Sequence, residues 1–490
     1  MFLDRIRQFR ENHRKRRNRI LKFLLLSLLL SALGAFIATR FIERPAAAPT
    51  PPIPQEWRQG YFDSPTFGGK VFTLQAGTEH NESVILLHGL GQNASRDWFT
   101  LIPELADRYH VIALDLPGFG RSQSPAADYT PAAYARFVHE IRTAYAKERT
   151  ALVGHSMGAA VALRYAADYP GELSQLILVD AAGILERTAY VKEIAEIPLD
   201  RDDLPEYLQG AATSFENFAS AIIEWLNLAP DPLDIVKGIN RYWKQSGLDA
   251  SQLTIALELL DEDYSSAVAA LDLPCTILWG GRDRIAPLRT GKVLAAHIRG
   301  ATLHIFPEAG HVPMAADPET FNAVVLATLG KAPSAVTPEP IPREEARDLH
   351  CKDRVGGRYS GDYETIIIDR CKGIELVDVT AKQIRITASS ASFENLVVDS
   401  DATAFEALRS VIVMTNARIA GTTALRSEGS RLDMAGVSLK ASERAVDVAR
   451  KSRLIFSISD IDAPRYSGFV HGDYRLKGSM TFDDLLVSRQ

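Results

Sequence analysis

The spacing of apolar and polar positions changes character three times along the chain. From Ile20 to Ile42 the positions are almost all apolar, with no charge between Phe23 and Thr39. At about 1.5 Å per residue such a run is long enough to cross a hydrocarbon core of about 30 Å. Lys22 and Arg40 lie near its ends, where long side chains reach the interface. Short apolar runs follow at Val84–Leu87, Val111–Leu114, Ala151–Val153, Leu176–Val179, Thr276–Trp279 and Thr302–Phe306. Helical patterns separate most of them, as at Pro131–Lys147 and Ala159–Asp168. That alternation predicts a parallel sheet covered on both faces. The stretch from Asp180 to Leu273 is too long for one crossover and carries Tyr207, Phe215, Phe218, Trp225, Tyr242 and Trp243, which predicts an inserted helical subdomain.

Beyond Pro342 the helical period disappears and short alternating strands recur. A small residue returns at Cys371, Ser390, Ser410, Ser430 and Ser452, about every 20 residues. Repeats of that length predict an all-β domain, read as a right-handed β-solenoid whose coils bury their faces on one another. A β-sandwich with evenly spaced strands is the alternative. In a solenoid Cys351 and Cys371 occupy stacked positions about 4.8 Å apart, within reach of a disulfide. A pair of buried thiols is the other reading, and Cys275 reads as a core residue.

Composition adds limits. A length of 490 residues suggests two or three domains, and 46% hydrophobic with 24% charged residues is a globular balance. A formal charge of −6 gives no reason to expect nucleic acid as a partner. Three cysteines are too few to build a disulfide scaffold. Charge matters most at the N-terminus, where Arg5, Arg7, Arg10, Arg14, Lys15, Arg16, Arg17 and Arg19 precede the apolar run. The basic side is expected to stay cytoplasmic, so the rest is expected to be periplasmic or extracellular. A cleavable signal peptide is the alternative to a retained anchor and gives the same sidedness. The chain thus divides into a basic segment 1–19, a transmembrane anchor 20–42, a Pro-rich linker 43–54, an α/β domain 55–330 with its insertion at about 183–270, a linker 331–342 and a β-repeat domain 343–490.

The candidate chemistry lies in the α/β part. Gly154-His155-Ser156-Met157-Gly158 follows one predicted strand and opens a helix rich in small residues. A serine there sits on a sharp turn, and Gly154 and Gly158 let strand and helix approach. A hydroxyl needs a base, and His311, just past the last predicted strand, is the candidate. His304 lies inside that strand, His155 packs beside the elbow, and His88 supports a glycine loop. The base needs a carboxylate, and Asp283 after the penultimate strand is preferred. Asp180 is the rival, with a turn or cap role as its simpler reading. The oxyanion donors are expected from the N–H of Met157 and of Leu90 in His88-Gly89-Leu90-Gly91, ahead of Gly91 or Gln92. No zinc, calcium or phosphate pattern appears, so no metal or cofactor is expected.

From Gln55 to Gly330 the chain resembles the α/β-hydrolase superfamily through HGLGQNASRDW, LDLPGFGRS, GHSMGA, LWGGRD and AGHVP, in that order. The resemblance implies an α/β-hydrolase fold with an eight-stranded, mostly parallel sheet, a triad of Ser156, Asp283 and His311, and a helical lid at the insertion. Serine at the elbow argues against the dehalogenase and epoxide hydrolase chemistries of that superfamily. The expected activity is ester hydrolysis, esterase- or lipase-like, on a small-molecule or lipid ester. Thioesterase, amidase, peptidase and C–C hydrolase activities remain open, as does an envelope-glycan or protein partner for the repeat domain.

Overall fold

The computed structural model describes residues 52–91, 93–123, 128–147, 149–185, 258, 262–330, 347–449, 452–467, 470–477 and 481–482. The expected basic segment 1–19, the anchor 20–42, the linker 331–342 and most of the expected insertion lie outside the described residues. Among the described residues no helix is long and apolar enough to cross a membrane.

The six apolar runs become β3 (Glu82–Leu87), β4 (His110–Leu114), β5 (Arg149–His155), β6 (Gln175–Val179), β7 (Cys275–Gly280) and β8 (Thr302–Phe306). They pair in parallel, and β3 to β7 are buried almost throughout because helices cover both faces. Two further strands complete the sheet. β1 (Arg58–Ser64) pairs antiparallel with β2 (Gly69–Ala76), which pairs antiparallel with β4. β1 is an edge strand with mostly exposed or half-buried side chains, so its sequence carries no apolar run.

The strand order is β1-β2-β4-β3-β5-β6-β7-β8. After β3 the chain moves to one side for β4 and then crosses to the other side for β5. Loops leaving β3 and β5 therefore diverge, and a crevice opens outside their carboxyl ends. The glycine loop 88–91 and the Ser156 turn both sit there. The helix after that turn, Met157–Asp168, buries Gly158, Ala159, Ala160 and Ala162, small enough to lie close to the sheet. The helix Pro131–Tyr145 starts on Thr130, whose side chain accepts the Ala133 N–H, with proline in its first turn.

The C-terminal region is β-rich and all its ladders are parallel. Its main path runs β9 (Arg347–Lys352), β10 (Arg358–Asp369), β11 (Ile374–Thr387), β12 (Ser390–Asp399), β14 (Val411–Glu428), β15 (Arg431–Val448), β16 (Arg453–Asp462) and β18 (Val470–Lys477). β13 (Thr403–Leu408) pairs β11 and β14, and β17 (Arg465–Ser467) pairs β15 and β19 (Thr481–Phe482). The register brings like residues into columns. Phe393 lies beside Met414, Met414 beside Met434, and Met434 beside Phe456. All four are buried.

The bends repeat as well. Asp378, Asn395 and Asn416 have φ of 54°, 56° and 54°, and Gly436 follows them at 65°. Asn, Asp and Gly are the residues that tolerate this region. The small-residue landmark runs one position off at its second member. Cys371 N–H donates to Ser389 Oγ, Ser389 N–H to Ser410 Oγ, Ser410 N–H to Ser430 Oγ, and Ser430 N–H to Ser452 Oγ. Ser390, the residue expected there, instead accepts the Gly373 N–H. The positive φ of Ala388 turns the chain so that Ser389 meets the column. A disulfide joins Cys351 to Cys371, with Cα atoms 6.6 Å apart.

The helix Leu288–His297 of the α/β part packs on the β-rich region. Arg289 donates to Met414 O at 2.6 Å, Thr415 Oγ1 at 2.9 Å and Asp433 Oδ1 at 3.0 Å. Lys292 pairs with Glu394, its carbonyl accepts from Asn416, and His297 Nε2 lies 3.2 Å from Gly436 O. Ala435 and Ile458 join the hydrophobic core of the α/β part.

Candidate active site

Ser156 follows β5 and precedes the helix beginning at Met157, with φ 54° and ψ −117°. That strained conformation is held by its surroundings: its N–H donates to Val179 O at 2.9 Å, and its carbonyl accepts from Ala159 and Ala160. The flanking glycines are required by space. A Cβ on Gly154 would meet Gly158 O and come within 2.7 Å of Ala159 Cα. One on Gly158 would meet Leu87 O and stand 2.6 Å from His88 O.

His311 Nε2 lies 2.9 Å from Ser156 Oγ, and His311 Nδ1 lies 2.7 Å from Asp283 Oδ2. A carboxylate only accepts, so the proton sits on Nδ1 and Nε2 offers its lone pair to the hydroxyl. Asp283 Oδ1 accepts the N–H groups of Ile285 at 2.8 Å and Ala286 at 3.0 Å, which fixes the carboxylate plane. Ser156 and Asp283 are buried, as is most of the His311 side chain. The structure therefore brings Ser156, His311 and Asp283 into one hydrogen-bonded line.

The two neighbouring histidines have their ring nitrogens engaged elsewhere. His88 is fully buried, and its Nε2 accepts the Leu116 N–H at 2.9 Å. Its Nδ1–H must then donate to Gly89 O, 2.7 Å away. Burial pushes its pKa down. His155 Nε2–H donates to the His311 carbonyl at 2.7 Å, so it ties the turn carrying Ser156 to the loop carrying His311. Burial, followed by the nearby His311, pushes the pKa of His155 down to about 3.

Gly89 brings the loop after β3 against Ser156: a Cβ there would stand 2.8 Å from Ser156 Cβ. Leu90 follows with a half-exposed side chain, while Gly91 faces open space and Gln92 lies outside the described residues. Met157 is the first residue of its helix and fully buried. Its N–H is one of the four that an α-helix leaves without an internal partner.

Sequence reasoning missed two arrangements. Asp115, in the LDLPGFGRS segment, accepts Ser95 N–H and Oγ–H on one oxygen and Arg121 N–H and Nε–H on the other. Burial alone would raise its pKa, but the bonds from Arg121 and Ser95 outweigh that and hold it below the usual value. This clamp ties the turn after the glycine loop to the end of β4, and the signal was the Asp-x₅-Arg spacing in that segment. Asp180 does not reach His311; it sits against Asp283. Its Oδ1 accepts Gly280 N–H at 2.8 Å, and burial followed by the Asp283 charge pushes its pKa up to about 9. An aspartate directly after the apolar strand LILV was the only signal.

Residues 84–324 match the model of the Alpha/beta hydrolase family. That match ends ahead of the β-rich region. An uncharacterized protein of Mycobacterium tuberculosis is 30% identical over 257 residues, covering 50% of this chain and 74% of the relative. Lipase 1 of Psychrobacter immobilis is 30% identical over 249 residues, covering 50% of this chain and 76% of that lipase. A 2-hydroxy-6-oxononadienedioate/2-hydroxy-6-oxononatrienedioate hydrolase of Pseudomonas sp is 27% identical over 273 residues, covering 54% of this chain and 93% of that enzyme.

Proposed function

The chain belongs to the alpha/beta hydrolase family, and from that we propose that it is a serine hydrolase cleaving carboxylic esters through an acyl-enzyme on Ser156. The observation that carries this reading is the line Ser156 Oγ, His311, Asp283 on a strained turn at the sheet's crevice. Ser156 Oγ attacks the ester carbonyl while His311 Nε2 takes its proton. Asp283 holds the imidazole in the Nδ1–H form and stabilises its charge. The N–H groups of Met157 and Leu90 stabilise the oxyanion, each at a level where loss of one donor costs about 10²–10³ in rate. His311 then protonates the leaving alcohol and activates the water that frees the acid. The lipase among the relatives favours acyl esters.

Labelling of the full chain with a fluorophosphonate probe tests the nucleophile. The wild type is expected to label and Ser156→Ala not to; equal labelling of both sinks the assignment. A panel of ester, thioester and amide substrates of matched acyl chain then tests the bond. The relative from Pseudomonas favours a second reading, C–C bond hydrolysis, which would turn over a vinylogous diketone and leave the simple esters uncleaved.

Two further readings complete the proposal. Residues 20–42 anchor the protein, with the catalytic part periplasmic or extracellular; the basic residues ahead of that run support this. Carbonate extraction of membranes tests it, since an anchored chain stays in the pellet. The β-rich region is a β-solenoid, right-handed like other parallel crossovers, supported by parallel ladders and stacked bends. Its role is interaction with an envelope component, tested by pull-down of the full chain on an insoluble envelope-glycan fraction.

A further inference from the structure

One buried ionisable group at the site has no part in the mechanism above. Asp180 follows the last residue of β6, is fully buried and has φ 44°, a conformation that Asp tolerates better than most residues. Its Oδ1 accepts the N–H of Gly280, three residues before Asp283. Its Oδ2 is buried and, among the described residues, has no N–H or O–H donor to satisfy it. The neighbouring group is the Asp283 carboxyl. An ionised oxygen in that position would be desolvated, unpaired and beside a second negative charge. A protonated Oδ2 reverses all three problems, because it becomes a donor facing an acceptor. Asp283 has room for it. Its Oδ1 takes two backbone N–H groups and its Oδ2 takes His311 Nδ1–H, leaving one lone pair of the carboxylate open.

We propose that Asp180 is a positioning residue that remains a neutral carboxylic acid and donates its Oδ2–H to the Asp283 carboxylate, holding that carboxylate in line with His311 Nδ1. The inference rests on the Ser156–His311–Asp283 reading. The hydrogen bond weakens the pull of Asp283 on the imidazole proton and keeps that proton on Nδ1. The titratable group facing Asp180 is Asp283 after β7; His155, at the end of β5, is paired with Val179, the residue before Asp180. Burial and the Asp283 charge place the loss of the Asp180 proton at about pH 9. Above that pH two buried carboxylates repel, and Asp283 swings off its line to His311.

The test uses the full chain, with wild type, Asp180→Asn, Asp180→Ala and Ser156→Ala compared. The asparagine variant keeps an acceptor for Gly280 N–H and an N–H donor toward Asp283; the alanine variant keeps neither. Infrared difference spectra at neutral pH are expected to show the carbonyl stretch of a protonated buried carboxyl in wild type and not in Asp180→Asn. Fluorophosphonate labelling is expected to slow at least tenfold in Asp180→Ala and to recover most of that loss in Asp180→Asn. The wild-type labelling rate is expected to fall above about pH 9, and that limb is expected to be missing from Asp180→Asn. A wild type without the band, or an asparagine variant as slow as the alanine one, overturns the proposal. The infrared comparison does not need Asp180→Ala to fold. Labelling of Ser156→Ala would instead overturn the nucleophile assignment, whatever the band shows.

Discussion

Keeping Asp180 protonated inside the fold costs stability, and that cost has a sign that pH reveals. Its pKa rises from 3.8 to about 9 on folding. Between those values the folded chain holds a proton that the unfolded chain has released, so stability falls as pH rises through the window. Below 3.8 both states are protonated and the cost vanishes. Asp180→Asn removes the titration. Its stability relative to wild type is expected to grow from pH 4 upward, reaching at most about 4 kcal/mol near pH 7 at 1.36 kcal/mol per unit. Denaturant unfolding at pH 5 and pH 8 checks this; parallel pH dependences in the two proteins would refute it. His155 titrates the opposite way. Its pKa is pushed down from 6.5 to about 3, so the stability it contributes as a neutral ring is lost as pH falls from 6.5 toward 3. Its Nε2–H also steadies the His311 loop. His155→Ala is expected to lower the fluorophosphonate labelling rate about 10–100-fold with the fold retained by circular dichroism, since small misplacements of a base are costly. Ser156, His311 and Asp283 were legible in the sequence because strand ends and turn residues mark them. The role of Asp180 was not, because it depends on which carboxyl lies beside it and on the absence, among the described residues, of a donor around Oδ2. Chain spacing carries neither fact.

Strands that bury both faces announce themselves, as the apolar runs of β3 to β7 do, whereas β1 was silent because most of its side chains are exposed or half-buried. In the β-rich region the period of about 20 residues was readable, but the register within a turn was not. Ser389 and Ser390 are chemically identical, and only the bend at Ala388 selects the first for the column. That column makes a prediction at the scale of the ladder. Ser410 Oγ accepts the Ser389 N–H, which lies in buried surroundings. Ser410→Ala leaves that N–H without an acceptor and is expected to cost about 1–3 kcal/mol. Ser452→Ala, at the half-buried end of the column, is expected to cost less, because water can reach the freed Ser430 N–H. Urea unfolding of the two variants decides it, and equal losses would mean the ladder does not act through burial.

At the scale of the molecule, the helix that follows the Asp283 loop is also the helix docked on the β-rich region. Arg289 lies six residues after Asp283 and reaches three residues of the opposite surface, among them Asp433 at 3.0 Å. Both side chains are nearly buried, at 11% and 8% exposure, so this pair lies in a poorly screened environment. Lys292 and Glu394 are each 31% exposed and contribute at most about 1 kcal/mol. Among the described residues the two regions are held by Arg289, by the Asn416–Lys292 and His297–Gly436 contacts, by the helix Tyr264–Ala270 against β16 and β18, and by the apolar contacts of Ala435 and Ile458. Arg289→Ala is expected to destabilise the protein by about 3–5 kcal/mol, because Asp433 remains buried without a partner. Arg289→Met combined with Asp433→Leu removes both charges and is expected to recover most of the loss. Calorimetry supplies the readout. The wild type is expected to unfold the α/β and β-rich regions together, whereas Arg289→Ala separates them into two transitions and the double variant rejoins them. A single unshifted transition in Arg289→Ala would show that the remaining contacts alone couple the regions.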